Sequence, residues 1–311
     1  MADCLIVTVI ANELADEIAR LAEPSIVVKA CTSAEQALHA YTDESILFGN
    51  PDMISEILPE MSTIEWVQSS WAGVTPLIAL DRRDYILTGI KNVFGPQMSE
   101  YVFGYLLAHE LKVLQRTTEQ RAHNWFRTCS GTFLGKRLGI MGTGTIGQHI
   151  AKTAGCFGLE VTGLSLSGNT VPGFERVRPV SQLHDFLGEI DYLVAILPQT
   201  AATDNLLDAN ALAQLPEHAY FINIGRSNVV HDEALIAALR NNKLAGAALD
   251  VFDDEPVPKN CPLWDTPNLS ITAHIAAISH PMLIVPIFVE NYRRYTNRQP
   301  LNYVVDFDTG Y

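Results

Sequence analysis

Short apolar runs alternate with helical patterns along nearly the whole chain, and no other feature of the sequence narrows the fold as far. Such alternation builds parallel sheets from βαβ units. Residues 5–10, 25–29, 45–49 and 64–68 are expected strands of a first sheet, with helices over 13–21 and 34–40. A long amphipathic stretch follows over 97–115. A second strand series is expected at 138–141, 160–164, 192–197, 220–224, 246–250 and 269–272, and a helix over 282–297 closes the chain. The length, 311 residues, exceeds what single cores usually reach, so two doubly wound parallel-sheet α/β domains are expected. No Gly/Ser linker separates them. Long helices then serve as the connections, and the last helix can return to the first domain. The expected boundaries are 1–98 plus 283–311 for the first domain and 99–282 for the second.

Residues 138–147 read Leu-Gly-Ile-Met-Gly-Thr-Gly-Thr-Ile-Gly. Gly142-x-Gly144-x-x-Gly147 follows an apolar strand and opens a helical stretch over 145–157, which is the context a dinucleotide fingerprint requires. Gly142 permits the tight turn, Gly144 lets backbone approach a pyrophosphate, and Gly147 lets helix and strand pack closely. Thr145 and Ile146 stand in the first turn, where free N–H groups and the helix dipole favour phosphate. A glycine-rich structural turn is the competing reading. Two rival motifs fail. Gly131 to Lys136 is one residue short of a P-loop and is followed by Arg137, and the Gly163-Leu-Ser165-Leu-Ser167 run lacks the last glycine of a nucleophile elbow.

An acidic residue for the ribose 2′-hydroxyl is expected about 20 residues after the loop. That stretch carries Ser165 and Ser167 and no carboxylate. Losing the carboxylate removes repulsion against a 2′-phosphate, and both hydroxyls are suited to bond one, although no Arg stands there. On that ground NADP(H) is preferred over NAD(H).

Three later apolar runs each end in a polar residue. Phe221-Ile-Asn-Ile-Gly leads to Arg226, Ala248-Leu-Asp-Val-Phe to the acidic turn holding Glu255, and Ser270-Ile-Thr-Ala to His274. Ligands of open α/β sheets gather at the carboxyl ends of strands. Hydride transfer to a 2-oxo acid needs a cation to hold the carboxylate and polarise the carbonyl, a role suited to a bidentate Arg226. It needs a proton donor with a near-neutral pKa, here His274. A carboxylate beside the imidazole, Glu255, orients it and favours its charged form. Singly, each has an ordinary structural reading: a strand-end histidine, a helix-capping or ion-paired arginine, a solvated glutamate. The case rests on all three following one dinucleotide loop.

These segments resemble the D-isomer-specific 2-hydroxyacid dehydrogenases. The likeness runs over nearly the whole chain and is strongest over 132–282: Phe133-Leu-Gly-Lys-Arg-Leu-Gly-Ile-Met-Gly142, Leu197-Pro198-Gln-Thr-Ala-Ala-Thr203, Ile222-Asn-Ile224-Gly225-Arg226-Ser227, Ala248-Leu-Asp250-Val-Phe-x-x-Glu255-Pro256 and Thr272-Ala-His274. The resemblance implies catalytic roles for Arg226, Glu255 and His274, and a cofactor site including Leu197, Pro198 along the adenosine, Thr203, Ile224, Gly225 and, on the nicotinamide amide, Asp250. It places a substrate-carboxylate loop at Trp71-Ala72-Gly73-Val74, binding through backbone N–H groups. It further implies a substrate-binding, flavodoxin-like first domain, an NAD(P)-binding Rossmann second domain, and a homodimer joined through the helix after the first domain. The closing residues, 304–311, resemble the tail of the glyoxylate/hydroxypyruvate reductase A branch, so reduction of glyoxylate or hydroxypyruvate to the D-2-hydroxy acid is the leading expectation. Departures are Ala273 where proline usually precedes the histidine, Thr75 where Asp often follows the loop valine, and Trp71 where small residues are common, which favours small substrates.

Relatives bearing the same triad act on phosphoglycerate or phosphite. Few basic residues lie near the substrate loop in sequence to hold a phosphate, Arg82 and Arg83 being the nearest, so that alternative ranks second. A dinucleotide-sensing interaction protein on the same fold is the alternative from another class. A formal charge of −14 argues against nucleic acid and anionic membranes. Five scattered cysteines without a CxxC pair indicate no metal site and no disulfide framework, and fit reduced, mostly buried thiols in a cytoplasmic protein. The N-terminus reads as a strand rather than a signal peptide, and no apolar run is long enough for a membrane span.

Overall fold

The structure, a computed structural model, describes residues 4–21 and 26–308. The expected strand start at Ser25 and the last three residues of the 304–311 tail lie outside them. The chain divides into two compact units, Met1–Val93 with Ser279–Tyr311, and Phe94–Ile278.

The first unit holds β1 (Cys4–Val7), β2 (Val28–Cys31), β3 (Ile46–Gly49), β4 (Trp66–Ser69) and β5 (Ile86–Thr88), all parallel, in the order β2-β1-β3-β4-β5. This is the flavodoxin-like order. Strand residues point alternately to two covered faces. Leu5, Val7, Leu47 and Val67 join one cluster with Ile54 and Leu77. On β3 and β4, Phe48 and Trp66 stack on Phe288 of the closing helix Pro281–Thr296, with ring centroids 4.6 and 5.4 Å apart.

The second unit holds β6 (Arg137–Met141), β7 (Glu160–Ser165), β8 (Arg176–Pro179), β9 (Tyr192–Ala195), β10 (Tyr220–Asn223), β11 (Gly246–Leu249) and β12 (Leu269–Ile271), again all parallel, ordered β12-β11-β10-β9-β6-β7-β8. Counted from β6, this is the Rossmann order 3-2-1-4-5-6 with a seventh strand added. Leu193 and Ala195 of β9 enter one core cluster and Tyr192 and Val194 the other, so the sheet is buried on both faces.

Several expectations need correction. The first strand stops at Val7, because Ala11 N–H turns back to Thr8 O and starts a helix. The fourth begins at Trp66 rather than at residue 64, since Ile64 N–H is held by Met61 O in a turn. β5 and β8 were not expected; both are short edge strands, and Ile86 of β5 is exposed. The stretch over 97–115 is two helices, Gly95–Glu110 and Val113–Arg121, divided where Lys112 adopts φ 52°. The second of these buries no residue. Cys129 and Cys156 are exposed, so burial is not the rule for the thiols. Among the described residues, no helix is long and apolar enough to cross a membrane.

Candidate active site

Because every strand of the seven-stranded sheet is parallel, the segments leaving β6, β7, β9, β10, β11 and β12 all emerge at one edge. Strand order reverses between β6 and β9, and that switch point is where open α/β sheets form a crevice.

Gly142 leaves β6 with φ 108°, and its N–H donates to Leu164 O at 2.9 Å. A Cβ on Gly142 would lie 2.7 Å from Ile196 O, and one on Gly147 would lie 2.1 Å from Gly142 O. Close backbone approach therefore demands glycine at both. Gly144 differs, because nothing lies within 4 Å of a Cβ placed there. It is the N-cap of the helix Thr145–Cys156 and supplies no side-chain cap. The Thr145 and Ile146 N–H groups have no acceptor among the described residues, Gly144 and Thr145 are exposed, and a side chain at Gly144 would enter the clear space beside them. That cradle fits a pyrophosphate.

Around this cradle, the ends of β9 and β10 are tightly apposed: a Cβ on Gly225 would lie 2.8 Å from Leu197 N. Ile224 is buried in the core, so only its main chain faces any ligand. Pro198 is exposed, and Thr203 Oγ1 donates to Pro198 O at 2.7 Å, which ties that loop to itself. At the end of β7, Ser165 Oγ accepts from Gly168 N–H at 3.1 Å and Ser167 Oγ from Asn169 N–H at 3.3 Å. Both hydroxyls shape the turn and keep a proton to donate.

Arg226 follows β10. Its turn is built by Asn223, whose side chain is buried, accepts from Gly225 N–H at 3.1 Å and donates to Arg226 O at 2.9 Å. The Arg226 guanidinium donates to Gly225 O at 2.7 Å and makes no ion pair among the described residues. Burial pushes its pKa down, and the charge of Glu255 opposes that. A half-buried cation without a carboxylate is suited to accept one from a ligand.

His274 follows β12 at φ 54°, unusual for a residue with a side chain. Its Nδ1 is 2.9 Å from Glu255 Oε2, while Glu255 Oε1 accepts from Phe252 N–H at 2.9 Å. Glu255 is therefore fixed before it orients the imidazole. His274 Nε2 has no partner among the described residues and the ring is half exposed.

Asp250, at the end of β11, is 1 % exposed. Its Oδ1 accepts from Thr272 Oγ1 at 2.5 Å and Ile275 N–H at 2.9 Å, its Oδ2 from Ala276 N–H at 2.8 Å. His274 N–H donates to Asp250 O at 2.9 Å. Asp250 thus braces the histidine turn, a role the motif alone did not disclose.

In the first unit, the loop after β4 needs one correction. Trp71 N–H is held by Ser69 Oγ at 3.0 Å, and that hydroxyl donates to Trp71 O at 2.8 Å. Ala72 and Gly73 N–H have no partner among the described residues, so they and not Trp71 are the available donors. Arg82 is spent on Leu58 O, Met61 O, Ile64 O and Asp84, and Arg83 on Ile78 O, Leu80 O and the Phe307 ring. Neither is free for a phosphate.

Asn223, Thr272 and Tyr101 were missed by sequence reasoning. Asn223 had a signal, as an Asn two residues before a strand-end glycine is a turn former; Tyr101 and Thr272 lie 171 positions apart and gave none.

Residues 103–276 match the family described as D-isomer specific 2-hydroxyacid dehydrogenase, NAD binding domain. Glyoxylate/hydroxypyruvate reductase A of Klebsiella pneumoniae (strain 342) is 36% identical over 174 residues, 56% of each chain, so the match spans about half the length of this curated relative. A D-isomer specific 2-hydroxyacid dehydrogenase family protein from Aeromonas salmonicida subsp. salmonicida A449 superposes with a TM-score of 0.95 at 36% identity, covering 99% of both chains. The NADPH-dependent glyoxylate/hydroxypyruvate reductase of Sinorhizobium meliloti, solved with NADP and sulfate, gives a TM-score of 0.87 at 27% identity over all of both chains. Glycine cradle, strand order and family match agree: the chain belongs to the D-isomer specific 2-hydroxyacid dehydrogenase family.

Proposed function

We propose that the protein reduces a small 2-oxo acid, glyoxylate or hydroxypyruvate first, to the D-2-hydroxy acid, using NADP(H) in preference to NAD(H). The carrying observation is the His274–Glu255 pair, braced through Phe252 N–H, on the same sheet edge as the glycine cradle and Arg226; among the described residues His274 Nε2 has no partner and Arg226 makes no ion pair. Gly142, Gly144, Thr145, Ile146 and Gly147 hold the pyrophosphate. Ser165 and Ser167 face the ribose end, where no carboxylate repels a 2′-phosphate. When bound, the reduced nicotinamide supplies the hydride.

The chain's own residues do the rest. Arg226 binds the substrate carboxylate and polarises the 2-oxo group. In the first unit, the Ala72 and Gly73 N–H groups are donors of the kind a carboxylate takes. His274 gives the Nε2 proton to the developing alkoxide, and Glu255 fixes the ring so that Nε2 is presented. Arg82 and Arg83, both occupied, favour an unphosphorylated substrate. The protein works as a homodimer in this reading. The arm after residue 110 exposes Leu114 and Trp125, at 68% and 90%, and Arg116 shapes it through Leu111 O, Thr128 O and Ser130.

The test follows the near-ultraviolet absorbance of reduced nicotinamide with glyoxylate and hydroxypyruvate, offering NADPH and NADH in parallel. Oxidation that is faster with NADPH is the expected result. A folded protein that binds dinucleotide and turns over no 2-oxo acid would favour a sensing role.

A further inference from the structure

The His274 turn holds a conformation that its own residues do not favour. A non-glycine residue at φ 54° is strained, so neighbouring groups must hold it. Asp250 does so from both sides, through Thr272 before the histidine and Ile275 and Ala276 after it. The Asp250 carboxylate is buried and has no cation partner among the described residues. Its burial therefore rests on neutral N–H and O–H donors, each of which counts.

The direction of the hydrogen bonds follows from counting protons. Thr272 has one hydroxyl proton and gives it to Asp250 Oδ1. Tyr101 Oη, 2.7 Å from Thr272 Oγ1, must then donate to Thr272. Burial pushes the Tyr101 phenol well above its ordinary pKa, which keeps that proton in place. Tyr101 lies on the helix Gly95–Glu110, where its ring packs on Tyr105 with centroids 4.7 Å apart. A one-way chain thus runs from that helix through Tyr101 and Thr272 to Asp250.

We propose that Thr272 and Tyr101 are positioning residues that hold His274 in its working geometry, acting through Asp250 and without touching substrate. This rests on His274 being the proton donor. Weakening the chain lets the turn relax toward ordinary φ values and moves Nε2, so kcat falls while dinucleotide affinity, set at the glycine cradle, is kept. Thr272→Val retains the shape and removes the donor; Thr272→Ser retains the donor and removes the methyl group. Tyr101→Phe removes only the outer hydroxyl, and with it the donor to Thr272.

The experiment measures kcat, KM and dinucleotide Kd for the three variants, with backbone amide exchange at Ile275 and Ala276. For Thr272→Val a loss of about 10- to 100-fold in kcat is expected, as for small misplacements of a catalytic group, with Kd unchanged and both amides deprotected. Thr272→Ser restores rate and protection, and Tyr101→Phe loses about fivefold, as for one hydrogen bond. Equal damage from Ser and Val, or full rate and full protection in both Val and Phe variants, overturns the proposal. If Thr272→Val does not fold, Tyr101→Phe alone decides it. If the wild-type protein turns over no 2-oxo acid, the reductase reading fails, while amide exchange still decides whether the chain holds the turn.

Discussion

The turns after β6 and after β12 both place backbone in the left-handed half of conformational space, and they do it by opposite means. Gly142 reaches φ 108° with no Cβ to resist it. His274 reaches φ 54° against its own side chain, because Asp250 grips the residues on either side. The first turn is shaped by what has been removed and offers bare N–H groups. The second is shaped by what has been added and offers one aimed imidazole. A phosphate cradle needs close backbone approach, so local sequence suffices. A proton donor needs one orientation, so remote groups must fix it.

The largest test of the comparison is at the histidine. His274→Ala should lower kcat by at least about 100-fold, as for loss of a general acid, with dinucleotide affinity unchanged. Near-normal turnover in a stopped-flow or steady-state assay would remove His274 from the mechanism. The next test separates the glycines. Gly147→Ala would drive a Cβ to 2.1 Å from Gly142 O. It should destabilise the fold by about 1–3 kcal/mol, as overpacking does, readable in denaturant titration. Gly144→Ala meets nothing within 4 Å, so stability should hold within about 0.5 kcal/mol. Dinucleotide Kd should nonetheless rise about tenfold, because an obstructed N–H-to-phosphate bond is worth roughly 1.5 kcal/mol. Equal stability loss at both glycines would show that Gly144 serves packing and not a ligand.

The same contrast explains what was legible in the sequence. Gly142-x-Gly144-x-x-Gly147 announced its turn because each glycine answers a local demand. Arg226 and His274 were legible as polar residues after apolar strand runs and Glu255 as part of the acidic turn that follows β11, and the structure brings Glu255 to His274. The Asp250 brace was not: its donors, Thr272, Ile275 and Ala276, are joined across two strands, and Tyr101 arrives from a helix far off in sequence. Edge position hid β8, whose Arg176-Val-Arg-Pro179 sequence lacks the apolar run of a central strand. The break at Lys112 was invisible because neither Gly nor Pro marks it. Trp71 was misread as a donor because Ser69, two residues back, takes its N–H.

The smallest expected effect lies one strand from the cradle and asks whether absence of a side-chain charge is itself functional. Ser165 Oγ caps Gly168 N–H at 3.1 Å, and an aspartate makes the same kind of turn bond, so Ser165→Asp should fold normally. Its carboxylate would stand where a 2′-phosphate is expected. At a partly exposed site, two like charges a few ångströms apart repel by roughly 1 kcal/mol. The ratio of NADPH to NADH affinity should therefore fall by about fivefold, through weaker NADPH binding, while kcat with NADH is kept. Added salt should shrink the effect, since the repulsion is screened. Equal loss of both cofactors would mean that the β7 turn itself had been damaged, and an unchanged ratio would mean that the phosphate end of the cofactor lies away from Ser165.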